Sequence, residues 1–319
     1  MNNPNMLEMV TATLRYRRKA IADAMTKNNA LMFQLRRKGR IDLIDGGRTI
    51  TEPILYGENA NHQWYTGREV LNVAGQEVLT SAEYDWKQYA CGVSISGLEM
   101  MQNSPSKHQI HDMMKTRIMH AEKTIVNKNH ESAYSDGTAS AGKEFGGLDL
   151  LVNDVAGATV GGINSGTATW WDNKRATIAG GPTTANIYAN MLNMCLSLSR
   201  GSDKVDLIIG DNTYYSVLSQ YLQGQQRFMD AKLADAGFRN LMFEGVPVVA
   251  DGGDGGFAQV GMYFLNCASI RLIMHKRRNN VPLGGPRRPL TEDSDTVILA
   301  GMGNFTSNNR ARNGRLTSV

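Results

Sequence analysis

The chain has 319 residues, 41% of them hydrophobic and 20% charged, with a net charge of +4. These proportions exclude a fibre and a disordered chain, and the length suffices for one large domain or two medium ones with a real core. No window approaches the roughly eighteen uninterrupted apolar residues of a bilayer span, and the start MNNPNMLEMV lacks the basic-then-apolar order of a secretory leader, so a soluble, non-secreted protein without a membrane partner is expected.

The charge is uneven. Residues 1–48 hold ten Lys/Arg against four Asp/Glu, while the remainder is slightly acidic. Within this arm Leu7, Val10, Leu14, Ile21, Ala24 and Met25, then Leu31, Met32 and Leu35, recur at helical spacing. Arg15, Arg17, Arg18 and Lys19, and then Arg36, Arg37, Lys38 and Arg40, flank that pattern. An arm with so few apolar residues cannot build a core of its own, so it is expected to lie on other chain, a neighbouring subunit included.

From Arg48 to Gly97 the pattern becomes extended: RTITEPILY, a polar middle GENANHQWYTG, and a return that alternates at Tyr89, Cys91, Val93 and Ile95. This predicts a long two-stranded excursion, which in isolation is marginal and must fold back or rest on a neighbour. Ser104-Pro105 then opens a helix with Ile110, Met114, Ile118, Ala121 and Ile125 on one stripe, ending near His130.

A glycine-rich stretch, DGTASAGKEFGGLDLLVNDVAGATVGGINSG, follows at 136–166. Beyond Trp170-Trp171, about 181–262 reads as a compact α/β unit: a helix from Thr184 to Arg200, strand VDLIIG, helix TYYSVLSQYLQ, and the apolar runs LMF, VPVVA and VGMYFL. The chain closes with ASIRLIMH, a basic loop over 276–288, strand DTVILAGM and a polar tail NFTSNNRARNGRLTSV.

Little chemistry is visible. GTASAGKE matches a phosphate-binding loop at Gly137, Gly142 and Lys143, but Glu144 stands where a metal-ligating hydroxyl belongs, and its carboxylate would repel phosphates. The glycines are therefore expected to serve tight bends, with positive φ or close backbone contact at several of Gly146, Gly147, Gly161, Gly162 and Gly166. His108 and His111 share a helix face with no third ligand, GVSISG sits in a strand and not at a nucleophile elbow, and Asp251 and Asp254 fail the spacing of a calcium loop. Cys91, Cys195 and Cys267 are expected as buried free thiols. No catalytic, cofactor-binding or metal residue is assigned and no cofactor is expected. The basic arm and the 276–288 loop either touch nucleic-acid phosphates without reading sequence or pair with neighbouring chain.

The order of elements, with EFGGLDLLVND, VGGINSGTATWWDN, VDLIIGDNTYYSVLSQYLQGQQRF and MGNFTSNNRARNGRL, resembles the major capsid proteins of tailed bacteriophages, whose fold is named after phage Hong Kong 97. The resemblance implies an α+β chain with an N-terminal arm (1–47), an extended E-loop β-hairpin (48–97), a peripheral domain (98–180 and 263–319) with a spine helix over about 105–130, and an α/β axial domain (181–262). It implies a non-catalytic virion subunit that self-assembles in the bacterial host cytoplasm, as hexamers and pentamers, into an icosahedral shell. Portal and scaffold proteins, packaged double-stranded DNA through non-specific contacts, and in some cases a decoration protein would be its partners. Arg15, Arg17, Arg18, Lys19, Arg36, Arg37, Lys38 and Arg40 would make inner-face or inter-subunit contacts. Some relatives lock the shell with a Lys–Asn isopeptide bond from an E-loop lysine; here Lys87, on the returning strand, is the only lysine between 48 and 97, and no such bond is expected. An encapsulin-like compartment and an α/β enzyme are the alternatives left open.

Overall fold

A computed structural model describes residues 29–102, 107–201, 203–223, 240–252, 260–284 and 292–318. In chain order the strands are β1 (Ile41–Ile44), β2 (Ile50–Leu55), β3 (Leu79–Tyr84), β4 (Lys87–Ser96), β5 (Thr159–Val160), β6 (Ile163–Asn164), β7 (Lys174–Ile178) and β8 (Leu207–Gly210). There follow β9 (Asn240–Phe243), β10 (Val246–Ala250), β11 (Met262–Leu265), β12 (Ile270–His275), β13 (Val281–Pro282), β14 (Ser294–Ser307) and β15 (Gly314–Ser318).

The described part of the arm belongs to the core. Asn29 caps the Ala30–Arg37 helix, its side-chain oxygen accepting from Met32 N at 3.1 Å. Ala30, Leu31, Met32 and Leu35 are buried in one cluster with Leu207, Ile209, Ile270 and Leu272. The expectation that the arm lies on other chain holds for this helix, and the cover comes from its own subunit: its apolar residues join that cluster, and β1 immediately after it pairs parallel with β12, which holds the helix down. Residues 1–28, with Arg15, Arg17, Arg18 and Lys19, lie outside the described residues.

One sheet has the order β1-β12-β14-β13, with β4 also paired to β14. The pairing of β4 with β14 is antiparallel and runs from Ser96↔Ser294 to Lys87↔Gly303. The expected alternation on β4 holds: Val93 and Ile95 face Val297, Leu299 and the Ile118–Ala121–Ile125 stripe of a helix spanning Lys107–Ala133. The partner expected for the outgoing strand is different. β2 pairs with β3, from Ile50↔Tyr84 to Leu55↔Leu79, and only after Asp85-Trp86 does the chain enter β4. The apolar face of β4 requires the cover that the long helix supplies, so β4 joins the larger sheet and leaves β2–β3 as a separate ribbon.

The second sheet has the order β7-β15-β11-β8-β10-β9. Helices Ile187–Leu198 and Asn212–Gln223 bury Ile187, Met191, Met194, Leu198, Tyr214 and Leu218 against Ile208, Val248, Phe264 and Leu316. Asp211 begins the second helix by accepting from Tyr214 N at 2.8 Å. The α/β alternation read over 181–262 is present, and the sheet also recruits β7 and β15 from outside that range.

The polar tail is a buried joint. β14 continues to Ser307, and Asn304, Thr306, Arg310, Asn313 and Arg315 are all buried. Each finds internal partners: Thr306 Oγ1 donates to Glu52 Oε1 (2.9 Å), Asn304 Nδ2 to the Asp85 carbonyl (2.8 Å), and Asn313 Nδ2 to Ser269 Oγ (2.8 Å). Asn313 Oδ1 accepts from Asn266 N at 2.9 Å. Hydropathy marks such residues as exposed; hydrogen bonding lets them be buried.

The glycine-rich stretch bends as expected. Gly161 and Gly162, both at positive φ (62° and 76°), make the two-residue turn between β5 and β6, and the Gly161 carbonyl accepts from Glu83 N on β3 at 2.9 Å. At Gly147 a Cβ would stand 2.2 Å from the Ser132 carbonyl oxygen, where the long helix ends over this segment. Ser140 and Ala141, at φ 53° and 58°, precede Gly142 in a left-handed turn, and Glu144 Oε2 accepts from Ser135 Oγ at 2.8 Å. No strand delivers this loop and no long helix follows it, so the geometry of a phosphate cradle is absent here. His120 is exposed on the long helix; Asp254 lies outside the described residues.

Where the long helix meets the second sheet, Tyr134 Oη donates to Asp251 Oδ2. Burial pushes the Asp251 carboxyl from its ordinary 3.8 up to about 6, with the Tyr134 bond opposing. Between about pH 4 and pH 6 the folded chain thus holds a proton that the unfolded chain has released. Ionised Asp251 costs stability at neutral pH, and that cost is relieved as pH falls through 6. Asp251→Asn keeps an acceptor for Tyr134 and is expected to stabilise the chain by on the order of 1–3 kcal/mol near pH 7.5, with no gain near pH 4. Thermal melts at the two pH values check this; equal effects at both would refute it. Gly147→Ala is expected to cost about 1–3 kcal/mol in denaturant melts, because the obstacle is backbone that cannot step aside.

Candidate assembly surfaces

The β2–β3 ribbon is pinned at its base and free at its end. Glu52 accepts from Thr306, and the Tyr84 hydroxyl donates to the Ser307 carbonyl at 3.0 Å, so both strands are tied to the end of β14. Beyond Leu55 and before Leu79 the strand ladder stops, and side chains close the loop. Tyr56 Oη donates to the Glu77 carbonyl (2.8 Å), Gln76 Oε1 accepts from Ala60 N (2.9 Å), and Asn61 Nδ2 donates to the Ala74 carbonyl (2.7 Å). On this ordered frame Trp64, Val70 and Val73 are 91%, 95% and 87% exposed, with Leu55 and Leu79 also exposed below them. Apolar side chains so concentrated at one projection mark an interaction site.

Of the basic residues singled out in the sequence, Lys38 pairs within its own chain, its Nζ 2.5 Å from Asp206 Oδ2, while Arg36 and Arg37 are exposed in the last turn of the Ala30–Arg37 helix. Arg40 uses its backbone to bridge that helix and β12, donating to Leu35 O (2.7 Å) and accepting from Leu272 N (3.0 Å). In the 276–288 loop, Arg277 pairs with Asp45 (3.2 Å) and Arg278 donates to Gln88 Oε1 (2.5 Å). Lys87 Nζ donates to the Gly142 carbonyl.

A surface pocket of about 640 Å³ escaped the sequence reading. It is walled by the base of the ribbon (Pro53–Tyr56), by Trp170 and Trp171, and by Lys174, Arg200 and Arg312. Tyr56 and Trp170 stack at 5.1 Å between ring centroids. Under Trp171 lies Arg310, fully buried, its guanidinium 5.9 Å from the indole centroid and bonded to the Leu151 carbonyl (2.7 Å) and Asn173 Oδ1 (3.0 Å). Both are neutral acceptors, and burial lowers this guanidinium to about 10. Lys174, Arg200 and Arg312 are far apart in sequence, and no local spacing could have joined them.

Cys91 and Cys195 are half-buried and Cys267 is buried; all three are free thiols, and burial raises their pKa values, that of Cys195 to about 12. Among the described residues no three His, Cys, Asp or Glu side chains converge as metal ligands, and no helix is long and apolar enough to cross a membrane.

No protein-family model matches the chain, and no curated protein matches its sequence. Solved structures match its shape. The cyanophage A-1(L) capsid asymmetric unit is 16% identical, with 86% of this chain and 88% of that one covered at a TM-score of 0.63. The capsid of Myoviridae phage XM1 is 14% identical, covering 89% and 92% at 0.53. The capsid of the native GTA particle is 10% identical, covering 92% and 91% at 0.56. At these identities the likeness is one of fold, and it extends over nearly the whole length: the chain has the mixed α+β fold of phage capsid structures.

Proposed function

We propose that the chain is the major capsid protein of a tailed double-stranded DNA bacteriophage and assembles, as hexamers and pentamers, into an icosahedral head shell. The observation that carries the proposal is the ribbon tip: an ordered projection whose apolar residues its own chain does not cover, on a fold shared with solved phage capsids. In this reading β2–β3 with its tip is the E-loop within 48–97 and the Lys107–Ala133 helix is the spine. The sheet carrying β14 belongs to the peripheral domain (98–180 and 263–319), and 181–262 forms the axial domain, its sheet completed by β7 and β15. Heterologous contacts of this kind, repeated around closed symmetry axes, make rings and shells. The role is structural, the virion its location, and packaged DNA is met through non-specific basic contacts. Portal, scaffold and decoration proteins are the partners such a shell would take.

Negative-stain electron microscopy of the purified chain is expected to show uniform shells or rings of five and six; a stable compact monomer at all concentrations would reject the proposal. Replacing 57–78 by Asn-Gly should leave the melting transition in place while abolishing assembly, since the strand ladder ends at Leu55↔Leu79. Removing residues 2–28 tests the basic arm without cutting into the buried Ala30–Arg37 helix; assembly or packaging is expected to fail, and normal filled particles would show the arm dispensable. Assembled shells boiled in SDS should run as monomer, because Lys87 is held against Gly142; a ladder of multimers would overturn this.

A further inference from the structure

We infer that the pocket between the ribbon base and the second sheet is a phosphate-binding site, taking phosphate groups of a nucleic-acid strand or of a free phosphoryl compound. Three cations line it, Lys174 on β7, Arg200 on the turn after the Ile187–Leu198 helix and Arg312 at the end of a short 3-10 turn. None has an ion-pair partner among the described residues, and no carboxylate lines the pocket. By contrast Arg175, Arg271, Arg277, Arg315 and Lys38 all pair with acids.

The charge beneath the pocket points the same way. Arg310, two residues before Arg312, is fully buried with neutral acceptors on Nε and Nη2 and no hydrogen-bond partner on Nη1. Asp172, the acid that acts on it electrostatically, is itself bonded to Arg175 at 2.5 Å. A buried guanidinium with no carboxylate bonded to it raises the local potential in a region of low dielectric, where an anion gains most. Main-chain and side-chain donors cannot supply that anion; a ligand can. Lys and Arg paired with an aromatic wall, here the Tyr56–Trp170 stack, is the surface that suits phosphates linked to bases. The volume, about 640 Å³, is that of a ligand site.

The site stands within a single chain, so its test is independent of whether shells form. A labelled eight-residue oligothymidylate and tripolyphosphate are titrated against the full chain between about 50 and 200 mM salt. Three cations imply a contribution of about −2 to the slope of log K against log salt for a single strand, roughly 0.7 for each cation. Arg200→Gln/Arg312→Gln is expected to weaken oligonucleotide binding about tenfold or more at the lower salt and to flatten the slope by about 1.4. Lys174→Gln alone should flatten it by about 0.7, with the melting transition kept in both. Displacement of the strand by tripolyphosphate identifies phosphate itself as the ligand; strand binding that tripolyphosphate does not displace identifies the nucleic-acid backbone. Affinity and slope unchanged by the double variant would overturn the assignment, as would the failure of both probes to bind or stronger displacement by octaglutamate than by tripolyphosphate.

Discussion

The structure depends on burying the polar stretch from Asn304 to Arg315. This segment leaves the first sheet as the end of β14 and enters the second as β15, so it is where the two sheets are joined. Two of its three arginines, Arg310 and Arg315, are buried. Arg315 donates to Asp149, pairs with Asp154 at 3.2 Å and lies over the Tyr263 ring; Arg310 reaches the Leu151 carbonyl and Asn173. A guanidinium taken out of water costs several kcal/mol unless its donors are met in fixed positions. The segments that meet them, 149–154 and 172–173, are thereby held in one arrangement against the joint.

The projecting ribbon follows from the same arrangement. Because β14 is fourteen residues long, it can pair with β4 along its first ten and still offer its last turn of chain to Glu52 and Tyr84. β4 is thus committed to the sheet and the long helix. The six-residue strands β2 and β3 keep each other as sole ladder partners, held by the joint at one end and, where the ladder stops, by the stack of Tyr56 on Trp170. A two-stranded ribbon gains little stability alone. Its ends therefore persist through the anchor at Ser307 and through whatever covers Trp64, Val70 and Val73.

Much of this was legible from periodicity. The long helix, the alternation on β4 and the α/β run after Thr184 all appear within about a turn or a strand of their expected places, since burial on one face imposes a period of 3.6 or 2. Three things were not legible. The partner of β2 depends on which returning strand the long helix can cover, a tertiary choice. The tail reads only as polar, because Asn, Arg and Thr are usually outside, and nothing in NFTSNNRARNGR announces that Ser269, Asn266 and Glu52 will accept or donate to them. The Ala30–Arg37 helix falls within the basic arm, whose few apolar residues do not announce which surface they will pack on. Its burial shows that charge at a helix end says nothing of the face that packs.

The tip of the ribbon suits the proposed assembly role for a reason beyond its exposed apolar surface. Tyr56, Gln76 and Asn61 tie its two sides together with side-chain bonds to the backbone, so the conformation presented to a partner is already set in the free subunit. A disordered loop would lose that freedom on docking, at a cost that subtracts from every contact. A preordered tip keeps most of the gain from burying Trp64 and its neighbours, yet a few exposed side chains supply only modest affinity per contact. Weak single contacts allow misplaced subunits to leave, while their sum around a closed shell becomes large. A structure that spends its polar groups on rigidity inside the joint and leaves its apolar ones at a stiff, narrow tip meets both requirements at once.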